Sequence, residues 1–195
     1  AQVGERALRL AAALHRLGVR PEDRVGTFCW NSQEHLEAYL AVPSMGAVLH
    51  TVNPRLFPEQ VAYIVNHAHD RLMFVDPLVL PLVKKLKPRL PLLERVIVLT
   101  DDAHLPPTPL DGVVSYEAFI AGEADDFDWP DLDERTASSL CYTSGTTGHP
   151  KGVLFSHRST VLHTYACGFK DTMNLGRRDA MLAVVPMFHA NAWGL

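Results

Sequence analysis

The sequence predicts an α/β chain, with a largely parallel sheet, mixed in places, covered by helices on both faces. Three observations lead there. Strand-like and helix-like segments alternate along most of the chain. The strand segments are short apolar runs, as strands buried on both faces require. The helix segments carry caps, first-turn prolines or a one-sided apolar stripe.

The elements follow in order. Val3, Ala7, Leu10, Leu14 and Leu17 recur at three- and four-residue steps, so the chain opens in a helix, with Gly18 as its stop. Arg24–Cys29 reads as a strand. "NSQEHLEAYLAVPSMGA" reads as a helix with Asn31 or Ser32 at its N-cap and Glu34 in its first turn, kinked or ended by Pro43. Val48–Val52 is a short buried strand. Pro58 suits a first helical position, and Val61, Ile64, Val65 and Ala68 form one apolar face behind it. Arg71–Val75 is a strand, "LVLPLVKKLK" a helix with Pro81 in its first turn, and Arg95–Thr100 the clearest strand.

The pattern then thins. "DDAHLPPTPLDG" is a proline-rich loop and "SYEAFIAG" a short helix. "EADDFDWPDLDE" places seven acids in twelve residues and reads as an exposed linker. After it come a strand ("SSLCYT"), a glycine-rich loop, a strand ("GVLFS"), a helix ("HRSTVLHTYACGF") and a strand ("DAMLAVVP"). The expected organisation is a first α/β lobe over 1–122, an acidic linker over 123–135, and the start of a second lobe over 136–195.

Composition bounds the function. The 195 residues suggest one domain, and the 47% hydrophobic and 21% charged content is ordinary for a globular protein. A formal charge of −4 gives no basic excess for nucleic acid. No uncharged apolar run approaches the ~18–20 residues of a membrane helix. The odd count of three cysteines, without a CxxC pair, argues against a disulfide framework and for a reducing compartment such as the cytoplasm. The chain has no initiator Met or signal pattern, and it ends in apolar "FHANAWGL". A fragment cut at both ends is the expectation.

The chemistry concentrates in "YTSGTTGHPKG", Tyr142–Gly152. A Walker loop needs Gly before its lysine and Ser or Thr after it, whereas here Pro150 precedes Lys151 and Gly152 follows. The GxGxxG and GxSxG patterns are missing too. Polyphosphate still suits the loop. Gly145 and Gly148 can take positive φ and curl backbone N–H groups around an anion. Thr143, Ser144, Thr146 and Thr147 offer hydroxyls, and Lys151 a mobile charge. A polar-tipped hairpin is the competing reading.

The longer string "YTSGTTGHPKGVLFSH" resembles the signature phosphate loop of the adenylate-forming enzymes, which include acyl-CoA synthetases, luciferases and peptide-synthetase adenylation domains. Every required position of that signature matches, and His149 falls in its variable slot. "VVPMFHANAWGL" is similar to the family's Pro-x-Phe-His segment, and the run from "YLAVPSMG" to "IVNHA" resembles the corresponding upstream region. "MFHANAWGL" looks most like long- and medium-chain fatty-acyl-CoA synthetases. The resemblance covers essentially this whole chain but only the first part of the family's large N-terminal domain.

What the resemblance implies is a two-step reaction. A carboxylate attacks the α-phosphorus of ATP to give acyl-adenylate and pyrophosphate, and coenzyme A then takes the acyl group. It implies Thr143, Ser144, Gly145, Thr146, Thr147, Gly148 and Lys151 on the phosphates, with the Thr143 hydroxyl on Mg²⁺. It implies His189 beside the reacting carboxylate or the incoming thiol, Phe188 at the acyl pocket, and Trp193 as its gate. The partners are then a fatty acid, ATP and CoA, with no nucleic acid and at most peripheral membrane contact through "KKLK"; a homodimer stays open. The family's acidic Mg²⁺ ligand, ribose-binding Asp and C-terminal domain with its lysine lie outside this sequence, so the 195 residues alone are expected to be inactive. An aryl- or amino-acid-activating enzyme, or a scaffold piece with a vestigial loop, are the alternatives.

Plainer readings stand beside these. His189 could cap or pack, and Trp193 could be core. Cys141 reads as packing, with no base beside it. His67 and His69 are two apart and face differently on a helix, so no zinc site is expected.

Overall fold

The computed structural model describes residues 2–143, 148–180, 182 and 184–189. Six helices and seven strands are described: α1 (Gln2–Arg16), β1 (Arg24–Phe28), α2 (Gln33–Ser44), β2 (Val48–Thr51), α3 (Pro58–Ala68), β3 (Leu72–Val75), α4 (Leu80–Leu86), β4 (Arg95–Val98), β5 (Val113–Ser115), α5 (Tyr116–Ile120), β6 (Ala137–Thr143), β7 (Lys151–Ser156) and α6 (His157–Gly168). They build one sheet of order β5-β4-β3-β1-β2-β6-β7. All neighbours run parallel except β6 and β7, which form an antiparallel hairpin. The α/β expectation holds, and the sheet continues across the acidic stretch.

Alternation along the strands divides the core into two. Val25, Leu49, Leu72, Phe74 and Ile97 point to one face, where Ala7, Leu10, Ala11 and Leu14 of α1, Ala38, Ala41 and Val42 of α2, and Ile120 of α5 cover them. Phe28, Met73, Val75, Val96 and Val98 point to the other, under Val61, Ile64 and Val65 of α3 and Leu80, Val83 and Leu86 of α4. Successive strand residues face opposite sides, so strands with both faces covered read as unbroken apolar runs.

Local chemistry sets the element ends. Gly18, at φ 94°, follows α1 as the expected stop. Ser32, rather than Asn31, caps α2, its hydroxyl accepting from the His35 amide. Pro43 lies inside α2, one residue before its end. α3 and α4 each begin with a proline in the first turn. One charged cluster ties three helices together. Glu37 is fully buried; it accepts from Arg6 Nε at 2.6 Å, Gln33 Nε2 at 2.8 Å and the Tyr116 hydroxyl at 2.6 Å.

Two expectations need correction. Between the proline-rich stretch and the short helix lies a strand, β5, unrecognised because it is only three residues long; its Ser115, read as helix, ends the strand and caps α5. The final strand over "DAMLAVVP" does not form among its described residues, which find no described strand to pair with; Met181 and Ala183 lie outside the described residues.

Candidate active site

Parallel strands end on one edge, and ligands in such sheets bind outside that carboxyl edge where the chain order reverses. Here the order reverses around β1, flanked by β2 on one side and β3 on the other. The segments leaving β1, β2 and β6 carry Trp30–Asn31, Asn53–Arg55 and the glycine-rich loop, respectively.

The hairpin register sets the loop. Because β7 runs antiparallel to β6, Lys151 stands directly opposite Thr143 at the mouth of the loop. Both are exposed, and among the described residues Lys151 pairs with no carboxylate. Gly148 takes φ 129°, a backbone that side chains rarely adopt. Ser144, Gly145, Thr146 and Thr147 lie outside the described residues.

One residue further in, Tyr142 faces Gly152 across the hairpin. A Cβ on Gly152 would come within 3.2 Å of Leu140 Cδ1 and 3.2 Å of Tyr142 Cζ, so the Tyr142 ring occupies the space a side chain would need. The Tyr142 hydroxyl and His67 Nδ1 share a hydrogen bond of 2.6 Å. Burial, then the charge of Asp70, pushes this phenol up to about 12. Tyr63, one helical turn before His67, stacks on it with ring centroids 5.3 Å apart, and stacks on His149 at 4.6 Å. Below lies a fully buried pair, His50 Nδ1 and Asp70 Oδ2, 2.7 Å apart. Burial pushes the Cys141 thiol up, away from nucleophile behaviour and in keeping with packing.

A second group forms where Pro186–His189 returns to the sheet edge. Asn31 holds this segment in both directions, its Nδ2 donating to the Val185 carbonyl at 3.1 Å and its Oδ1 accepting from the Met187 amide at 2.7 Å. The Tyr39 hydroxyl donates to the Met187 carbonyl. Phe188 is buried edge-on against Trp30, with centroids 5.4 Å apart. The Arg55 guanidinium lies over both rings, 5.4 Å from Trp30 and 5.8 Å from Phe188. His189 is exposed, its amide donating to the Pro186 carbonyl in a turn. Trp193 lies outside the described residues.

The residues singled out in the sequence therefore fall in two groups, Thr143, Gly148 and Lys151 at the loop and Phe188 with His189 at the docked segment. Tyr63, Tyr39 and Arg55 drew no reading from the sequence, while Asn31 was read as a helix cap and His67 as a lone helix histidine, neither as part of the site. Only Tyr63 and His67 left a signal, aromatic groups at i and i+4 on one helix face. Among the described residues no group of His, Cys, Asp or Glu could hold a metal ion, and no helix is long and apolar enough to cross a membrane.

Residues 1–195 match a family described as AMP-binding enzyme. The chain is 51% identical to the 3-methylmercaptopropionyl-CoA ligase of Ruegeria pomeroyi, over 100% of this chain and 36% of that one. It is 48% identical to the medium-chain-fatty-acid–CoA ligase of Ectopseudomonas oleovorans, over 99% of this chain and 35% of the relative. Its fold matches a crystal structure of a long-chain-fatty-acid–CoA ligase from Archaeoglobus fulgidus, with TM-score 0.85 at 23% identity, covering 99% of this chain and 36% of that one. The chain thus spans little more than a third of these relatives' length.

Proposed function

The chain belongs to the AMP-binding enzyme family, and from that premise we propose that it is the N-terminal part of an ATP-dependent fatty-acid–CoA ligase. The observation that carries the reading is the hairpin register that sets Lys151 across from Thr143 at the mouth of a glycine-rich loop. The placement of that loop beyond the carboxyl edge of the sheet supports it.

The roles follow from the charges involved. In-line attack by a carboxylate on the α-phosphorus builds negative charge on the departing pyrophosphate, so positioning and electrostatics dominate. The Lys151 ammonium, a compact charge on a flexible stem, neutralises phosphate oxygens. Thr143, Ser144, Thr146 and Thr147 donate hydroxyls, while Gly145 and Gly148 let backbone N–H groups approach. Mg²⁺, where bound with the nucleotide, would supply further neutralisation and would ask few ligands of the protein. One hard oxygen donor on an exposed strand end, the Thr143 hydroxyl, fits that modest demand. His189 is exposed on the turn after buried Phe188, and its role in this reading is to meet the reacting carboxylate or the incoming thiol. Phe188 forms part of the acyl wall and Trp193 its gate.

Residues 1–195 alone do not complete both steps, in keeping with relatives nearly three times as long. The three free cysteines, two of them buried, fit a reducing, cytoplasmic setting. One relative's methylmercaptopropionyl substrate favours a second acid class, short thioether acids.

The test is a panel of carboxylic acids of graded chain length, with a short thioether acid, offered to the full-length enzyme with ATP and CoA. Thioester is read by mass. Medium- or long-chain products are expected, and Trp193→Ala shifts the preferred length without changing the KM for ATP. Product from the thioether acid alone would replace the fatty-acid reading.

A further inference from the structure

Both stems of the glycine-rich loop rest on one turn of α3. Tyr142, in the strand leading into the loop, reaches His67 through its hydroxyl. His149, on the strand side of Gly148 as the chain leaves the loop, stacks on Tyr63 with the ring planes 19° apart. Tyr63 and His67 stack on each other within the helix, so the two stems meet on one continuous ring stack. α3 is itself fixed, with Val61, Ala62, Ile64 and Val65 buried in the core beneath it.

We propose that Tyr63 and His67 are positioning residues for nucleotide binding, clamping the loop through Tyr142 on one side and His149 on the other. The inference rests on the phosphate-loop reading above. Glycine-rich backbone has more conformational freedom to lose than other backbone, and fixing it in one arrangement costs entropy. Holding both stems on a rigid helix lowers that cost, because fewer backbone states remain to be lost on binding. Gly152 belongs to the device. A Cβ there would lie 3.2 Å from Tyr142 Cζ and press the ring by a few tenths of an ångström against its bond to His67. The variable slot of the signature thereby acquires a task in this chain: His149 supplies a flat ring for Tyr63 to stack on.

The experiment is steady-state kinetics of the full-length enzyme, with KM for ATP and KM for the acid measured separately. Tyr63→Leu keeps an apolar side chain but removes the ring. His149→Ala removes the partner ring at an exposed position, where folding is not at risk. Each should raise the KM for ATP by roughly 3- to 10-fold, the scale of one lost ring contact, with the KM for the acid unchanged. Tyr63→Phe and His149→Phe, which keep the rings, should restore the KM for ATP. Lys151→Ala separates the clamp from the reading beneath it. If Lys151→Ala weakens ATP use while His149→Ala and Tyr63→Leu leave the KM for ATP within twofold, the clamp is overturned and the phosphate loop stands. If Lys151→Ala leaves ATP use unchanged, the phosphate loop falls, and the clamp with it.

Discussion

His35 illustrates what burial does to a single residue. It is fully buried, with Nδ1 3.0 Å from the Trp30 carbonyl and Nε2 3.1 Å from the Thr27 hydroxyl. Burial pushes its pKa down from 6.5 to about 4, against a smaller upward pull from the Trp30 carbonyl. The folded protein keeps the ring neutral, whereas the unfolded chain protonates it near 6.5. Stability is therefore fully present above pH 6.5 and falls as pH drops toward about 4, because the unfolded state binds the extra proton. Completed over that window, the loss is about 3 kcal/mol. Melting temperatures of wild type and His35→Gln between about pH 7 and pH 4 check this. The wild-type curve should fall more steeply; parallel curves would remove His35 from the account. At this scale the sequence was legible only in part. Lys151 and Thr143 could be picked out because they sit in one short string. The partners of Tyr142 and Phe188 could not, since His67, Trp30 and Arg55 lie far away along the chain and only the parallel pairing of β1, β2 and β6 brings them close.

Among the elements, α1, α2 and α5 share the Glu37 cluster. Arg6 also pairs with Glu117 Oε1 at 2.6 Å, so one guanidinium joins the first helix to the other two. A buried carboxylate stripped of its cation is costly, and Arg6→Ala is expected to destabilise the protein by about 3 kcal/mol. Arg6→Met combined with Glu37→Gln, which removes both charges, should recover much of the loss. Urea denaturation of the two variants decides it: equal losses would mean that packing, not charge, sets the cost. The central strands were legible because four- and five-residue apolar runs bounded by turns have few other readings. β5 was not, being three residues that pair with β4 only through tertiary context. Nor was the direction of β7 written in its own residues; it follows from the loop, which is too short for a crossover helix and returns the chain alongside β6.

Seen whole, the molecule has a finished side and an open one. Around β1, β3 and β4 the sheet is covered on both faces. At the other end α6 buries none of its residues, and Leu154 of β7 with Val161, Leu162, Tyr165 and Phe169 are each more than half exposed. An apolar surface of that kind marks a contact face. It supports the proposal that these 195 residues are the N-terminal part of a longer enzyme. The most direct test of the acyl-adenylate chemistry is exchange of radiolabelled pyrophosphate into ATP by the full-length enzyme, with a fatty acid and without CoA. The account predicts exchange that requires the acid, proceeds without CoA, and drops sharply in Lys151→Ala. Acid-dependent conversion of ATP to ADP and phosphate, with no exchange, would contradict it.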